Sequence, residues 1–179
     1  MIRGSGVSVD CTIPSSDPVD IVTVAAQAVN GDADAGIAKG FFDQVWAVFD
    51  LDGRDGQVRR ACDLAADNGV HAALSNPCFD VWLIWHFADF SRPGCPASGG
   101  SSSTDRYVRQ HCPSYGKGKH NRWNQIVWLT ADAMAHARQR GVCREGGASA
   151  VLQADPSSGV CALIEAADRC HTKLEPRLV

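Results

Sequence analysis

The sequence lacks the patterns that are typical of exported proteins, membrane proteins and proteins built around structural zinc. Its eight cysteines include no pair at the Cys-x-x-Cys spacing that usually brings two zinc ligands from one loop. The first residues, MIRGSGVSVD, have no apolar signal-peptide core, and no apolar run in the chain is long enough to span a membrane. We therefore expect a cytoplasmic protein without membrane contact, with reduced and mostly buried thiols.

Neither sign of charge dominates the whole chain, but the two signs are separated along it. The net charge is -3 over 179 residues. Residues 1–56 carry nine acidic side chains against three basic ones, whereas residues 101–144 carry eight Lys and Arg against two acidic residues. An acidic half beside a basic half suits a metal site next to an anionic substrate, although an unevenly charged solvated surface explains the pattern equally well.

Length and apolar content predict a single domain over residues 1–179, since 45% of the residues are hydrophobic. Apolar runs predict three strands, at 7–11, 45–49 and 70–74. The strand at 45–49 is apolar throughout, which is typical of a strand covered on both faces. Asp17-Pro18 and Asn30-Gly31 predict the start and end of one helix, and 53–68 predicts another. This strand–helix–strand order after residue 45 predicts a parallel pair.

The second half of the chain is predicted to be mainly helical. Asn76 is a typical N-cap with Pro77 at the first helical position, and the apolar residues that follow recur at helical spacing. Residues 91–104 have the low-complexity composition of a flexible loop. Further helices are predicted at about 105–111, 119–140 and 157–171, with a loop at 141–157. The predicted fold class is α/β, with a mostly parallel sheet flanked by helices and a helical C-terminal half.

The stretch VWAVFDLDGRDG, residues 45–56, contains the most informative polar residues. Asp50 and Asp52 follow the predicted strand two positions apart, so an extended backbone directs both carboxylates to one side, as a divalent cation requires. An EF-hand is excluded, because counting from Asp50 its glycine position is Asp55 and its glutamate position is Ala61. Two turn-forming residues after a strand are the structural alternative.

The letters FDLDG also resemble the first motif of the haloacid-dehalogenase-like phosphatases, in which the first Asp is the nucleophile. That family continues with Thr and an apolar residue, where this chain has Arg54 and Asp55. The late acidic pair that the family needs for its magnesium site has no counterpart after a strand-like run. Ser75-Asn76 and either Lys117 or Lys119 could stand for its other motifs, so a phosphatase remains an alternative.

A second resemblance covers nearly the whole chain. VWAVFDLD, NGVHAALSNPCFDVWLIWHF, YGKGK and DPSSGVCALIEAAD, between about residues 7 and 171, resemble the RloB-like family. That family is associated with restriction and phage-defence loci and has a Toprim-type, Rossmann-like fold. The resemblance implies Mg²⁺ (or Mn²⁺) held by Asp50 and Asp52, and a nuclease-like action on nucleic acid. It also implies an ATPase partner from the same locus, and a homo-oligomer is compatible with it.

The resemblance is incomplete at the start of the chain. Family members usually begin with a strand and a Glu-bearing segment, and no Glu precedes Asp50 here. We therefore expect a chain that is N-terminally incomplete relative to the family, or a member without catalysis that serves as an interaction module in a defence complex. Asp80 is the acid in the matched motifs that could substitute, although a favourable partner of a helix dipole is the simpler interpretation.

The remaining candidates each have a functional and a structural interpretation. His86 is a candidate general acid or base, but a hydrogen-bonded core histidine is the favoured interpretation. Ser75 and Asn76 could donate to a phosphate, but helix capping is favoured. The basic segment, residues 115–122 (YGKGKHNR), supplies Lys117, Lys119 and Arg122 as phosphate contacts. The five tryptophans are interpreted as core or interface residues, and Ser157-Ser158 as a helix-capping pair.

Overall fold

A computed structural model describes residues 8–14, 17–91, 103–113, 115–116, 126–143 and 148–174. Seven helices and three strands follow one another in these ranges: α1 Pro18–Asn30, β1 Trp46–Asp50, α2 Asp55–Asp67, β2 His71–Asn76, α3 Asp80–Trp85, α4 Ser103–His111, α5 Thr130–Gln139, α6 Ala148–Gln153, β3 Ser157–Ser158 and α7 Val160–Leu174. A 3-10 turn, Val127–Leu129, leads into α5. The α/β class and the helical C-terminal half are confirmed.

The sheet has the order β1-β2-β3. β1 and β2 are parallel, as the strand–helix–strand pattern predicted, with Trp46 opposite His71 at one end and Asp50 opposite Ser75 at the other. β3 pairs with β2 in the antiparallel direction. The described sheet is therefore mixed rather than mostly parallel. The parallel character is thus confirmed for β1 and β2 only; β3 was not predicted because polar contacts of two serines hold it, and apolar periodicity does not report such contacts.

The first helix begins and ends where the sequence predicted. The Asp17 carboxylate accepts a hydrogen bond from the Val19 N–H at 2.8 Å, and Pro18 occupies the first turn. Gly31 follows the last residue at a φ of 93°, where a side chain would also approach the Lys39 nitrogen to 2.8 Å. Glycine is therefore needed at this position for both backbone conformation and space. α1 packs against both α2 and β1.

Two predictions for the first half are wrong. Residues 8–11 lie in an exposed segment without helix or strand, so the predicted strand at 7–11 does not form in its described part. β1 is not covered on both faces, because Ala47 and Phe49 are buried whereas Val48 between them is 42% exposed. The reason is that β1 is the outer strand of the described sheet, with α1 on one face only.

The second half departs from prediction around Asn76. This residue is the last of β2 and does not cap a helix, since α3 begins at Asp80. Its side-chain amide instead donates to the backbone oxygens of Ala154 and Val151, at 2.9 and 3.3 Å. Long-range contacts of this kind compete with local capping, and a local motif cannot distinguish them. The region 141–157, predicted as a loop, contains α6 and the first residue of β3.

Two further segments were predicted only in part. Of the flexible loop predicted at 91–104, residues 92–102 lie outside the described residues, and Ser103 and Thr104 belong to α4. Of the helix predicted at 119–140, residues 119–125 lie outside the described part and α5 accounts for the end. The last helix begins at Val160 rather than at Ser157.

The core centres on the tryptophans of α3. Trp85 is fully buried and its indole N–H donates to the Phe90 oxygen at 3.1 Å. The Trp85 carbonyl in turn accepts from His136 Nδ1 at 2.8 Å, and the Arg140 guanidinium lies 5.1 Å from the indole centroid. Because α3 and α5 both contribute to this cluster, it holds these two helices against one another.

The cysteine side chains are less buried than the sequence predicted. Of the seven cysteines that the structure describes, only Cys78 and Cys161 are buried, so the expectation of mostly buried thiols is wrong. Burial raises the pKa of the Cys143 thiol to about 11.

Across the described residues, no helix combines the length and the apolarity needed to cross a membrane.

Candidate functional site

A row of polar side chains crosses the sheet at the carboxyl end of β1. Asp50 is in register with Ser75 of β2, and Ser75 is in register with Ser158 of β3. Residues in register on paired strands project from the same face, so the three side chains form one row. The two serine hydroxyls lie 2.9 Å apart, both fully buried, while Asp50 is half-buried at the outer end. The row therefore presents a carboxylate at the end of the sheet.

Asp52 stands in the turn that leaves β1 and is held by main-chain contacts. The Leu51 N–H donates to the Ser75 oxygen and the Asp52 N–H donates to the Pro77 oxygen, each at 2.9 Å. Asp52 has a φ of 45°, and it is the residue other than glycine with positive φ in the described chain. Such a conformation persists when surrounding contacts impose it, as the bond to Pro77 does here. The main chain of Asp52, which carries the exposed carboxylate, is therefore fixed in position relative to the end of β2.

The arrangement suits a hard cation that keeps part of its water shell. Mg²⁺ is commonly bound by one or two carboxylates, with waters and substrate phosphates completing the octahedron. Asp50 at the end of β1 and Asp52 in the turn that follows are the two carboxylates that could bind a cation in this way. Arg54 Nη2 lies 3.9 Å from Asp52 Oδ2. An anion bound to a cation at the Asp52 carboxylate would therefore also lie near the guanidinium. An exposed ion pair at this distance adds little to stability.

No third His, Cys, Asp or Glu side chain joins this pair among the residues that the structure describes. Within those ranges, no group of three or more His, Cys, Asp and Glu side chains could hold a metal ion. Asp80 therefore does not complete a three-ligand group with Asp50 and Asp52. The described geometry restricts the metal hypothesis to a site with two carboxylates.

Asp80 has a different environment. It lies in the first turn of α3, is only 2% exposed, and accepts a short hydrogen bond from the Tyr115 hydroxyl. Its position agrees with the interpretation as a helix-dipole partner. Tyr115 is itself buried and stands two residues before Lys117. Asp80 thus attaches the start of the basic segment to α3, a contact that the sequence did not reveal.

His86 is a buried, hydrogen-bonded histidine. Its Nδ1 lies 2.9 Å from the Trp82 carbonyl oxygen, and since a carbonyl only accepts, Nδ1 carries the proton. The ring meets the Trp82 indole edge to face at 5.2 Å. Burial lowers the pKa of His86, while hydrogen bonds to the Trp82 and Leu83 backbone and the charge of Asp132 partly oppose the shift. A neutral imidazole with its proton on Nδ1 is the expected form at neutral pH.

This lowered pKa predicts a loss of stability on acidification. Because the unfolded chain binds a proton at His86 more readily than the folded one, the contribution of His86 is fully present above about pH 6.5 and is lost below it. An NMR titration of the His86 ring should give a pKa below the unperturbed value. The free energy of unfolding of His86→Gln should fall less between about pH 7.5 and pH 5.5 than that of the unchanged protein. A pKa at or above the unperturbed value would contradict the prediction.

The remaining predicted site residues divide into two groups. Ser75 and Asn76 do not cap α3, because the Ser75 hydroxyl bonds to Ser158 and the Asn76 amide donates to the backbone oxygens of Val151 and Ala154. Lys117, Lys119 and Arg122 lie outside the described residues. Ser158 is the site residue that the sequence interpretation missed. It was assigned only to helix capping, and its hydroxyl does lie 3.5 Å from the Val160 N–H, but its closer contact is Ser75.

Comparison with known proteins gives one match. A family model described as RloB-like protein matches residues 4–166. Neither the curated proteins nor the solved structures contain a match. The matched range includes β1, the turn with Asp52, β2 and the polar row, so the candidate site lies within the part of the chain that the model matches.

Proposed function

The chain belongs to the RloB-like protein family, and from this premise we propose that it is a Mg²⁺-dependent, nuclease-like protein that acts on nucleic acid in anti-phage defence. In this proposal the α/β fold is of the Toprim type, and the metal lies at the carboxyl end of β1. The observation that carries it is the pair Asp50 and Asp52, one ending β1 and the other fixed in the turn by the bond to Pro77.

The two carboxylates would hold Mg²⁺, or Mn²⁺ in its place, through oxygen ligands. The bound metal would supply a Lewis acid that stabilises negative charge on a phosphodiester and activates water. Two protein carboxylates leave room in the octahedron for substrate oxygens, which suits a metal that acts directly on a phosphate. Arg54 beside Asp52 supports the same assignment, since a guanidinium pairs with phosphate oxygens.

The other candidates would act around this centre. Lys117, Lys119 and Arg122 would contact backbone phosphates, with Tyr115 and Asp80 holding the start of their segment. His86 and Asp80 are both buried, so we assign them to positioning from the interior rather than to metal ligation. An ATPase encoded at the same locus would be the partner that triggers or senses infection.

A cleavage assay on the purified full chain tests the proposal. Double-stranded DNA, single-stranded DNA, RNA and tRNA are incubated with Mg²⁺ or Mn²⁺, with EDTA as the control, and p-nitrophenyl phosphate is tested in parallel. We expect at least one nucleic acid to be cut in the presence of metal and none in EDTA. Cleavage that persists in EDTA would contradict the proposal. Hydrolysis of p-nitrophenyl phosphate without nucleic-acid cleavage would support the haloacid-dehalogenase-like alternative instead.

A second candidate function is a non-catalytic interaction module of a defence complex. The observation that favours it is the pair Val127 and Trp128 on the 3-10 turn, which are 55% and 85% exposed. Tryptophan is enriched in the buried centres of protein interfaces, and its full exposure is unusual elsewhere. The same assay separates the candidates, because an interaction module would bind the ATPase of its locus but cut no nucleic acid with either metal.

A further inference from the structure

Two cysteines meet where the chain leaving α5 lies beside the start of α7. Cys143 follows the last residue of α5 by four positions and is half-buried, and Cys161 is the second residue of α7 and is fully buried. The two thiols are hydrogen-bonded to each other, although they lie 18 positions apart in the chain. Thiols in such contact need only a small movement to reach the S–S separation of a disulfide, about 2.0 Å.

Charged and backbone groups around the two thiols hold these segments together. Arg138 of α5 forms an ion pair with Glu165 of α7, with Arg138 Nη2 3.0 Å from Glu165 Oε1, and both side chains interact electrostatically with both thiols. Cys161 Sγ also lies 3.8 Å from the carbonyl oxygen of Ser158, the last residue of β3. The thiols therefore belong to one cluster that joins α5, β3 and α7.

A disulfide is the chemistry that this cluster supports best. A metal site made by the protein would need more ligands than two thiols. Among the described residues, no group of three or more His, Cys, Asp and Glu side chains could hold a metal ion. Two adjacent thiols, in contrast, contain both sulfur atoms of a disulfide, and the half-buried Cys143 is the one that a small reagent reaches first.

We propose that Cys143 and Cys161 form a reversible intramolecular disulfide by exchange with a low-molecular-weight disulfide such as oxidised glutathione. This inference does not depend on the proposed nuclease function. The Cys143 thiolate first attacks one sulfur of oxidised glutathione, which forms a mixed disulfide and releases one glutathione. The deprotonated Cys161 then attacks the Cys143 sulfur and releases the second glutathione. Two protein thiols are oxidised, the S–S bond of the reagent is reduced, and the two protons end on the two glutathione thiols.

The environment of each thiol sets the order and the speed of these steps. Burial raises the pKa of Cys143 to about 11 and also raises the pKa of Cys161, and the hydrogen bond between the thiols opposes the rise at Cys143 but adds to it at Cys161. Cys143 is therefore the attacking thiol. A thiol with a raised pKa is seldom ionised at neutral pH and is a poor leaving group, so the disulfide should form slowly and then resist reduction.

Mass spectrometry of the full chain after incubation in glutathione redox buffers tests the inference. The folded chain is brought to equilibrium at several ratios of reduced to oxidised glutathione, blocked with N-ethylmaleimide and digested. We expect the peptides of Cys143 and Cys161 to form the dominant linked pair, and dithiothreitol to restore both thiols. A parallel incubation in urea should lose this preference, because the unfolded chain does not hold the two thiols together.

Thermal unfolding gives a second readout. A disulfide restricts the unfolded chain, so the oxidised protein should melt several degrees above the reduced one. Cys143→Ser should lose this difference, whereas Cys62→Ser, at another half-buried thiol, should keep it. Glutathione attached singly to the cysteines, without a linked pair, would overturn the inference. So would a pair that forms equally well in urea, or a chain that stays fully reduced at the most oxidising ratio.

Discussion

Replacing Trp85 by alanine is expected to lower the free energy of unfolding by about 3–5 kcal/mol, the usual cost of removing a large aromatic side chain from a core. Trp85 is fully buried, donates to the Phe90 oxygen and lies under the Arg140 guanidinium. Alanine would leave a cavity, remove one of the two hydrogen bonds to the Phe90 oxygen and leave the Arg140 guanidinium without its aromatic partner. Since small domains are stable by only about 5–15 kcal/mol, this single change should bring the fold near its limit.

Urea denaturation followed by circular dichroism measures the effect, with two variants as controls. Trp85→Phe keeps most of the volume and loses the indole hydrogen bond, so its cost should be clearly smaller. Trp128→Ala removes the same side chain from an exposed position and should change stability by no more than about 0.5 kcal/mol. Equal losses for Trp85→Ala and Trp128→Ala would show that the α3 cluster does not have the role we assign to it.

The second large effect is expected on activity. Asp50→Asn and Asp52→Asn should each reduce metal-dependent cleavage by more than about 100-fold. Replacing a residue that only orients a metal ligand already costs up to about 100-fold, and replacing the ligand itself should cost more. Asparagine keeps the shape of each side chain but removes the negative charge that a hard cation requires. The Asp52 turn is held by its main chain, so the fold should survive both changes.

Asp55→Asn is the matched control for these variants. Asp55 is the third aspartate of the same stretch and lies exposed in the first turn of α2, outside the proposed site. Its replacement should cost about 0.3–1 kcal/mol through the helix dipole and leave cleavage almost unchanged. If Asp55→Asn lost activity as fully as Asp50→Asn, net charge near the substrate, rather than ligation, would explain the result.

The elements that short-range signals determine could be predicted from the sequence. α1 begins at the Asp17 cap with Pro18 and ends before Gly31, because the cap bond and the positive φ are both local. The parallel pair β1 and β2 followed from the spacing of apolar runs around α2. In such cases nearly all the decisive interactions lie within a few residues of one another.

Distant partners set the limit of prediction. Asn76 followed by proline has the local appearance of a helix start, but its amide bonds to backbone oxygens 75 and 78 positions further along the chain. β3 exists because Ser158 meets Ser75, 83 positions away, and no apolar periodicity marks that contact. Residues 8–11 alternate as a strand does, but they lack a neighbouring strand in the described structure.

The candidate site shows the same division. The spacing after an apolar strand was sufficient to place Asp50 and Asp52 at the carboxyl end of β1, but Asp52 lies in a turn at a φ of 45° and not in the extended backbone that the sequence argument assumed. The bond from Asp52 to Pro77 and the contact between Tyr115 and Asp80 join segments 25 and 35 positions apart, respectively. These contacts fix the main chain of the turn and attach Tyr115 to α3, and only the folded chain reveals them.

Binding of Mn²⁺ is the measurement that tests the central claim most directly, since the account requires Asp50 and Asp52 to hold a divalent cation. Isothermal titration calorimetry or the electron paramagnetic resonance signal of free Mn²⁺ reports binding without any need for a known substrate. The account predicts saturable binding to the unchanged chain and to Asp55→Asn, competition by Mg²⁺, and loss of binding when Asp50 and Asp52 are both replaced by Asn. Equal binding by the doubly substituted chain, or no binding by the unchanged one, would contradict it.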